Sequence, residues 1–184
     1  MHFCIYVIGN DDLTQALEPF QENNMGTVDE HYLEFIDRTE EVNKEWRDYP
    51  LTCLAGEGFE QDFKNIEEFA KDWFGYEATS GGRYGYTANP NAKWDWWELG
   101  GRWANMIPLK GTRAETNQAY IEDINLDALK VTSAILYKGK WIEGEAKNLY
   151  NWTDEEEEAW EMQTKALFSD LPPGTIVSVV DCHI

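Results

Sequence analysis

Apolar residues run almost without interruption through residues 2–8 and again through residues 175–183, close to the two ends of the chain. Runs of this kind are typical of strands that are covered on both faces. We therefore predict two strands near the middle of one sheet. Two further apolar runs, 131–137 and 141–145, flank Lys138-Gly139-Lys140. This pattern predicts a β-hairpin, because glycine adopts the positive φ that tight turns require.

Two helices are predicted from their caps and their periodicity. One has Asn65 as its N-cap and Gly75 at its end, and Thr153 with Glu156 forms a capping box at the start of the other. The first helix carries apolar residues along one face, namely Ile66, Phe69, Ala70 and Trp73. The other predicted elements are helices at 13–20 and 40–47 (the latter ended by Tyr49-Pro50), strands at 31–36 and 104–110, a loop at 51–62 and an unassigned stretch at 113–130.

The order of these elements matches neither a series of βαβ units nor an all-β meander. We therefore predict an α+β fold with a mainly antiparallel sheet, in which the first and last strands are central and helices pack on one face of the sheet. Because no linker rich in Pro, Gly or Ser divides the chain, residues 1–184 are expected to form a single globular domain. Within it, the aromatic and glycine-rich segment 79–110 is a candidate functional insert.

Composition narrows the class of protein. The 184 residues carry a net charge of −20, yet they include nine Trp, nine Tyr and eight Phe, which indicates a packed globule and not a disordered acidic chain. So negative a chain is not expected to bind nucleic acid non-specifically or to bind an anionic membrane. The N-terminus lacks the features of a signal peptide, and no apolar run is long enough to span a membrane. With three cysteines and no C-x-x-C spacing, a cytoplasmic location is expected.

The segment 81–103 contains most of the residues that point to ligand binding. Gly-Gly-Arg-aromatic occurs twice in it, at 81–84 and 100–103. Glycine N–H groups line anion-binding concavities, arginine binds phosphate or carboxylate in a two-pronged contact, and tryptophan stacks on bases. These properties predict a site for a nucleotide-like anion. Its candidate residues are Arg83, Tyr84, Asn91, Lys93, Trp94, Trp96, Trp97, Arg102 and Trp103.

A structural interpretation of the same segment stays open. The aromatic residues are of a size typical of cores, the Gly-Gly pairs are typical of turns, and the two arginines have many acids to neutralise in this chain. Local charge favours the ligand interpretation, since residues 80–113 hold five basic and two acidic residues within a strongly acidic protein. An anion therefore has one region of the chain in which binding is electrostatically favourable.

Several stretches resemble an uncharacterised protein family encoded mainly by tailed bacteriophages, prophages and related mobile elements. The resemblance is carried by the opening Met-His-Phe-Cys, by residues 17–26, by Asn-Pro-Asn-Ala-Lys-Trp-Asp-Trp at 89–96 with Gly-Gly-Arg-Trp at 100–103, and by the closing Val-Val-Asp-Cys-His-Ile. It implies an accessory protein that acts in the bacterial cytoplasm during infection. It implies no activity and no catalytic residues.

A second candidate site combines the two ends of the chain. His2 and Cys4 share one face of the first strand, and Asp181 and His183 share one face of the last. If these strands pair, the four residues converge as N, S and O donors of the kind that zinc or another divalent metal accepts. The alternative is that the histidines are simply exposed and the cysteines are ordinary buried thiols.

Three functional hypotheses follow. The first is a non-enzymatic binding protein of phage type that modulates a host or defence process through the Gly-Gly-Arg-aromatic site, with a nucleotide-like anion or a host protein as its partner. The second is a metal-dependent hydrolase or nuclease that uses His2, Cys4, Asp181 and His183. The third is an acidic mimic of nucleic acid that inhibits a host DNA- or RNA-binding enzyme. The acid run 154–158 supports it, although such a run is also typical of a solvated first helical turn.

Overall fold

The computed structural model of the protein describes residues 1–53, 63–144 and 153–184, with the side chains of residues 50–53 left aside. The chain divides into two compact units. Unit 1 comprises Met1–Asn24 and Asn91–Ile184, and unit 2 comprises Met25–Pro90. The segment 79–110 is therefore shared between the units, with Arg83 and Tyr84 in unit 2 and the other candidate ligand-binding residues in unit 1.

The strands and helices follow one another along the chain without a repeating unit. The strands are β1 (His2–Ile8), β2 (Glu34–Asp37), β3 (Glu77–Ala78), β4 (Tyr84–Ala88), β5 (Trp96–Leu99), β6 (Ile107–Pro108), β7 (Glu115–Thr116), β8 (Gln118–Tyr120), β9 (Ala134–Tyr137), β10 (Lys140–Glu143) and β11 (Ile176–His183). The helices are α1 (Leu13–Leu17), α2 (Thr39–Cys53), α3 (Ile66–Phe74) and α4 (Asp154–Ser169). The α+β class predicted from the sequence is confirmed.

Unit 1 is built on a sheet with the strand order β10-β9-β1-β11-β5, in which β8 also pairs with β11. All of these pairs are antiparallel except the parallel pair of β1 with β9. The first and last strands of the chain are therefore neighbours at the centre of the sheet, as predicted. Their long apolar runs are explained by this position, since both faces of a central strand are covered.

Helices cover both faces of this sheet, so the prediction that they pack on one face is wrong. On one face α4 packs on alternate residues of β1 and β11, and on the other face α1 packs on the residues between them. Each fully buried side chain of this size contributes about 1.5–3 kcal/mol. The first cluster includes Tyr6, Ile8, Val177, Val179, Trp160 and Phe168, and the second includes Ile5, Val7, Val180, Leu13 and Leu17.

Unit 2 contains a three-stranded sheet, β2-β4-β3, together with α2 and α3. Its core is aromatic and includes Tyr49 and Phe69 beside Val42. Helix α3 begins and ends as predicted, because the Asn65 side chain accepts from the Glu68 N–H and Gly75 closes the helix at a φ of 74°.

Other local predictions are confirmed. The capping box of Thr153 and Glu156 starts α4, and the β9–β10 hairpin turns at Lys138 and Gly139, which have φ values of 51° and 70°. The predicted helix at 13–20 is realised as α1 followed by a 3₁₀ turn at Glu18–Phe20.

Several predicted boundaries are wrong. The strand predicted at 31–36 is limited to Glu34–Asp37, since a 3₁₀ turn at Glu30–Tyr32 precedes it. Helix α2 runs past Pro50 to Cys53, because a proline removes only its own helical hydrogen bond and kinks some helices without ending them. The strand predicted at 104–110 is limited to Ile107–Pro108, since a 3₁₀ turn at Gly101–Trp103 leads into it. The predicted loop at 51–62 begins inside α2, and residues 54–62 lie outside the described part of the chain.

The unassigned stretch 113–130 folds into β7, β8 and two 3₁₀ turns, Ile121–Asp123 and Leu126–Ala128.

In residues 1–53, 63–144 and 153–184, no helix combines the length and apolar character needed to cross a membrane.

Candidate functional site

The end of the sheet where β1 begins and β11 ends brings the two chain ends together. In the antiparallel register His2 lies opposite His183, and Cys4 lies opposite Asp181. The four residues therefore lie on one face of the paired strands. This face continues the face on which α4 packs, since Cys4 belongs to the same buried cluster.

His2 is held by a buried carboxylate. Its Nδ1 is 2.9 Å from Oδ1 of Asp181, and the backbone N–H of Arg102 donates to Oδ2 of the same side chain at 2.9 Å. Only 2% of the Asp181 side chain is exposed. Because a carboxylate only accepts hydrogen bonds, Nδ1 of His2 carries the proton and Nε2 is the ring atom left for another partner.

His183 forms a second pair of the same kind with Asp95, the residue before β5. Its Nδ1 is 2.8 Å from Oδ1 of Asp95, and the terminal amine of Met1 lies 3.0 Å from its Nε2. Burial raises the pKa of Asp95, but the hydrogen bond and charge of His183 and the backbone N–H of Trp96 lower it more. The net effect is a pKa below the ordinary value, so this carboxylate is ionised at neutral pH.

Trp96 completes what we call the histidine cluster, which comprises His2, Asp95, Trp96, Asp181 and His183. The rings of Trp96 and His183 are stacked with centroids 5.7 Å apart, and His2 meets Trp96 edge-on at 5.3 Å. The two imidazole centroids are 4.9 Å apart. Since 42% of Trp96 is exposed, the cluster presents an aromatic surface to solvent.

The second Gly-Gly-Arg sequence forms a tight 3₁₀ turn around Asp181. Gly101 has a φ of 47°, and a Cβ placed on it would lie 2.5 Å from both Cβ and Oδ2 of Asp181. Glycine is therefore required here both by conformation and by space. The anion at the Arg102 N–H of this turn is a carboxylate of the protein itself. The predicted backbone concavity is thus occupied, while the exposed Arg102 side chain stays on the surface beside it.

The first Gly-Gly-Arg sequence is a hairpin turn of unit 2. The N–H of Gly82 donates to the Thr79 carbonyl oxygen at 3.0 Å, and the Arg83 guanidinium lies 3.7 Å from Asp37 and over the Phe35 ring. Tyr84 is partly buried and packs against the core of this unit. Both candidate residues are therefore used within unit 2, as the structural interpretation of the segment proposed.

Most of the other candidate residues in unit 1 also have structural roles. Trp94 is 5% exposed and donates from Nε1 to the Leu17 carbonyl oxygen at 3.1 Å, so its ring is not available for stacking on a ligand. Trp97 and Trp103 pack against the two clusters on the sheet. Lys93 is paired with Glu143 at 2.9 Å, and Asn91 is exposed.

The geometry does not assemble the four predicted metal ligands around a common point. Burial, with a contribution from the charge of Asp181, raises the pKa of Cys4 to about 12, and its thiol points to the Met106 sulfur at 3.9 Å. Within the described ranges no group of three or more His, Cys, Asp or Glu could hold a metal ion. The zinc or divalent-metal site stays a prediction.

Asp95 is the member of the histidine cluster that the sequence patterns missed. It lies 88 residues from His183, and the contact exists only because β5 pairs with β11 with Trp96 opposite His183. The one available signal was its place in the Trp-Asp-Trp-Trp run, where a charged residue is flanked by large aromatics.

Comparisons with known proteins give no match to a protein-family model, to a curated protein or to a solved structure. The resemblance to phage-encoded proteins therefore stays a prediction.

Proposed function

We propose that the protein binds a small anionic ligand with a planar ring, such as a nucleotide, at the histidine cluster and the adjoining Arg102. This is the ligand chemistry expected from the Gly-Gly-Arg-aromatic segment, restricted to the copy that lies in unit 1. The resemblance to phage-encoded proteins supports a role as an accessory protein in the bacterial cytoplasm.

The observation that carries the proposal is the fixed orientation of two histidines beside an exposed tryptophan. Both Nδ1 atoms are bound to carboxylates, and Nε2 of His183 lies 3.0 Å from the Met1 amine, so Nε2 of His2 is the ring nitrogen of the pair left for a ligand. Trp96 offers a stacking face next to them, and stacking on an aromatic side chain contributes about 1–3 kcal/mol per base.

Arg102 supplies the positive charge. Its backbone is fixed by the bond to Asp181, and its side chain is exposed and forms no ion pair within the described part of the chain. By contrast, Lys93 is neutralised by Glu143, and the Lys110 ammonium donates to the Glu122 carbonyl oxygen at 2.7 Å. In a chain of net charge −20, an exposed arginine whose backbone binds Asp181 places a positive charge near the histidine cluster, and this charge attracts an anion.

Isothermal titration calorimetry with AMP, ADP and cyclic AMP tests this proposal. We expect Trp96→Ala to weaken binding by about 5- to 150-fold, the equivalent of one lost stacking contact, and Arg102→Gln to weaken it by about tenfold. Matched controls are Trp73→Ala and Arg83→Gln, which change an exposed tryptophan and a paired arginine of unit 2. If no nucleotide binds, or if the unit 2 variants lose as much affinity as the unit 1 variants, the proposal is wrong.

A further inference from the structure

A cavity of about 400 Å³ lies in unit 1 at the end of the sheet where β1 and β9 finish. This is the end opposite to the histidine cluster, and the seven residues of β1 separate the two by about 20 Å. Strands β1 and β9 are the parallel pair of the sheet, and ligand crevices in parallel sheets lie outside the carboxyl ends of the strands. The position and the volume are therefore those of a small-molecule site.

Most of the cavity wall is apolar. Val7 and Leu136, which are 1% and 2% exposed, line it from the two parallel strands. Ala16 and Pro19 line it from α1 and from the 3₁₀ turn that follows. An apolar group that enters the cavity therefore leaves water, and burial of its surface favours binding.

The polar side chains of the cavity offer hydrogen-bond donors. Oδ1 of Asn10 accepts from the backbone N–H of Asp12 at 2.9 Å, so the amide NH₂ of Asn10 is the end left to donate. The Lys138 ammonium lies 4.8 Å from the centroid of the Tyr137 ring and forms no ion pair within the described ranges. Lys138 is also the charged residue among those that line the cavity in this part of the chain. The polar part of a ligand that fits here is an anion.

The backbone conformation of Lys138 sets it apart from an ordinary turn residue. It is the first residue of the two-residue turn between β9 and β10, and its φ is 51°. Asn-Gly is the sequence that such turns favour, because asparagine adopts a positive φ more readily than lysine does. The turn itself therefore gives no reason for a lysine at this position. What the lysine adds is a cation beside the cavity.

We propose that this cavity binds a small organic acid whose carboxylate contacts Lys138 and Asn10 and whose apolar body, aromatic or aliphatic, lies against Ala16, Pro19 and Leu136. One lysine supplies one positive charge in a protein of net charge −20, so a monoanion fits better than a phosphate dianion. The arginine fork that holds phosphate in two-pronged contacts is absent from the described lining of the cavity. This site is separate from the histidine cluster and does not rest on the ligand-binding function proposed for it.

Titration of the ¹⁵N-labelled protein with phenylacetate and hexanoate, followed by amide NMR spectra, tests the proposal. We expect the amide resonances of Gly9 and Gly139, which line the cavity, to shift along one saturating curve, while that of Gly101, at the histidine cluster, does not move. The neutral amides phenylacetamide and hexanamide are expected to bind about tenfold more weakly or less, because they lose a hydrogen bond to a charged group. Inorganic phosphate, which has no apolar body, is expected to leave both glycine resonances in place.

A change at Lys138 separates the role of the ammonium from effects on folding. Lys138→Asn is expected to weaken phenylacetate binding about tenfold, while urea denaturation shows a stability equal to or above that of the unchanged protein, since asparagine suits the turn. Lys140→Asn is the matched control, because Lys140 is an exposed lysine of the same hairpin that does not line the cavity. It is expected to keep full affinity.

A change at Ala16 tests the apolar wall. Ala16→Met places a longer side chain against the cavity and is expected to weaken binding of both acids, whereas Thr14→Met, at an exposed position of α1 outside the cavity, is expected to leave it unchanged.

Three outcomes would overturn the proposal. Amides that bind as tightly as the acids, or an equal loss in Lys138→Asn and Lys140→Asn, would show that the charge of Lys138 is not used. Phosphate that shifts Gly9 and Gly139 as strongly as the acids do would show that the apolar wall contributes nothing. Acids that shift Gly101 alone would be ligands of the histidine cluster, so the function proposed for that cluster would stand while the site at Lys138 would be wrong.

Discussion

The sequence Gly-Gly-Arg-aromatic occurs once in each compact unit, and the two copies have different structural roles. In unit 2 it closes the hairpin between β3 and β4, and Arg83 is paired with Asp37. In unit 1 it wraps the buried carboxylate of Asp181, and Arg102 is exposed. The same residues therefore form either a hairpin turn or the wall of a candidate site, depending on what packs against the glycines.

The two turns differ most clearly in the space around their glycines. A Cβ on Gly82 would meet no atom within 4 Å, whereas one on Gly101 would lie 2.5 Å from Asp181. Both glycines have positive φ values, 73° and 47°, so conformation alone does not distinguish them. What distinguishes the unit 1 turn is a buried acid that the histidine cluster requires.

Alanine substitution at Gly82 and at Gly101 is expected to give the largest difference in stability between the two turns. Gly82→Ala introduces only the strain of a positive φ, about 1–2 kcal/mol, while Gly101→Ala adds overpacking against Asp181 for a total of about 2–5 kcal/mol. Free energies of unfolding from urea denaturation measure both. Equal losses would mean that Asp181 is not enclosed by this turn.

Removing the charge of the carboxylate beside each turn, Asp181 in unit 1 and Asp37 in unit 2, is expected to give the next largest difference in stability. The buried carboxylate of Asp181 accepts hydrogen bonds from the His2 ring and from the Arg102 N–H. Asp181→Asn is therefore expected to lower the free energy of unfolding by about 1.5–3 kcal/mol. Asp37→Asn is the matched change in unit 2, where the carboxylate is 44% exposed and its bond to the Thr39 N–H can be kept by asparagine. Its effect is expected to stay within about 0.5 kcal/mol. The same urea titrations decide the point, and a larger loss for Asp37→Asn would reverse the assignment of roles.

The smallest expected difference between the two units is in how the pKa of one carboxylate, Asp95 or Asp37, depends on its basic partner. The pKa of Asp95 lies below its ordinary 3.8 because the hydrogen bond and charge of His183 outweigh the effect of burial. A carboxyl whose pKa is lowered by folding stabilises the fold fully above its unfolded pKa, and this stabilisation is lost as the pH falls through the folded pKa. We therefore expect His183→Gln to raise the pKa of Asp95 and to make unfolding less dependent on pH below about pH 4.

The pKa of Asp37 is also lowered, first by the Thr39 hydroxyl and backbone N–H and only weakly by Arg83. Arg83→Gln is therefore expected to leave the pKa of Asp37 nearly unchanged. NMR titration of the side-chain carboxyls follows both residues in the same samples. Equal shifts in the two variants would show that His183 is no more important to Asp95 than Arg83 is to Asp37.

The sequence predicts those features that depend on neighbours along the chain. Thr153 and Glu156 lie three residues apart and form the capping box that the pattern indicates, and Gly139 turns the hairpin. The central positions of β1 and β11 were also predictable, because residues 2–8 and 175–183 are apolar on both faces.

The candidate site could be predicted only in part, because it depends on contacts between distant residues. The face shared by His2 and Asp181 follows from alternation along strands, but the bond from His183 to Asp95 requires the register of β5 on β11. Likewise, nothing in the tryptophan-rich run shows that Trp94 is buried while Trp96, two residues later, is exposed. Both properties are set by which strand packs on which, and a local pattern does not contain that information.

Side-chain NMR of the histidines tests the central claim most directly, because the chain has only three of them. Cyclic AMP is added in steps, and the ring nitrogen and carbon-bound proton resonances of each histidine are followed by heteronuclear correlation spectra. The account predicts that the resonances of His2 and His183 shift together along one saturating curve, while those of His31, in unit 2, do not move. Shifts at His31 alone, or no shift at any histidine, would contradict the claim that the histidine cluster is the functional site.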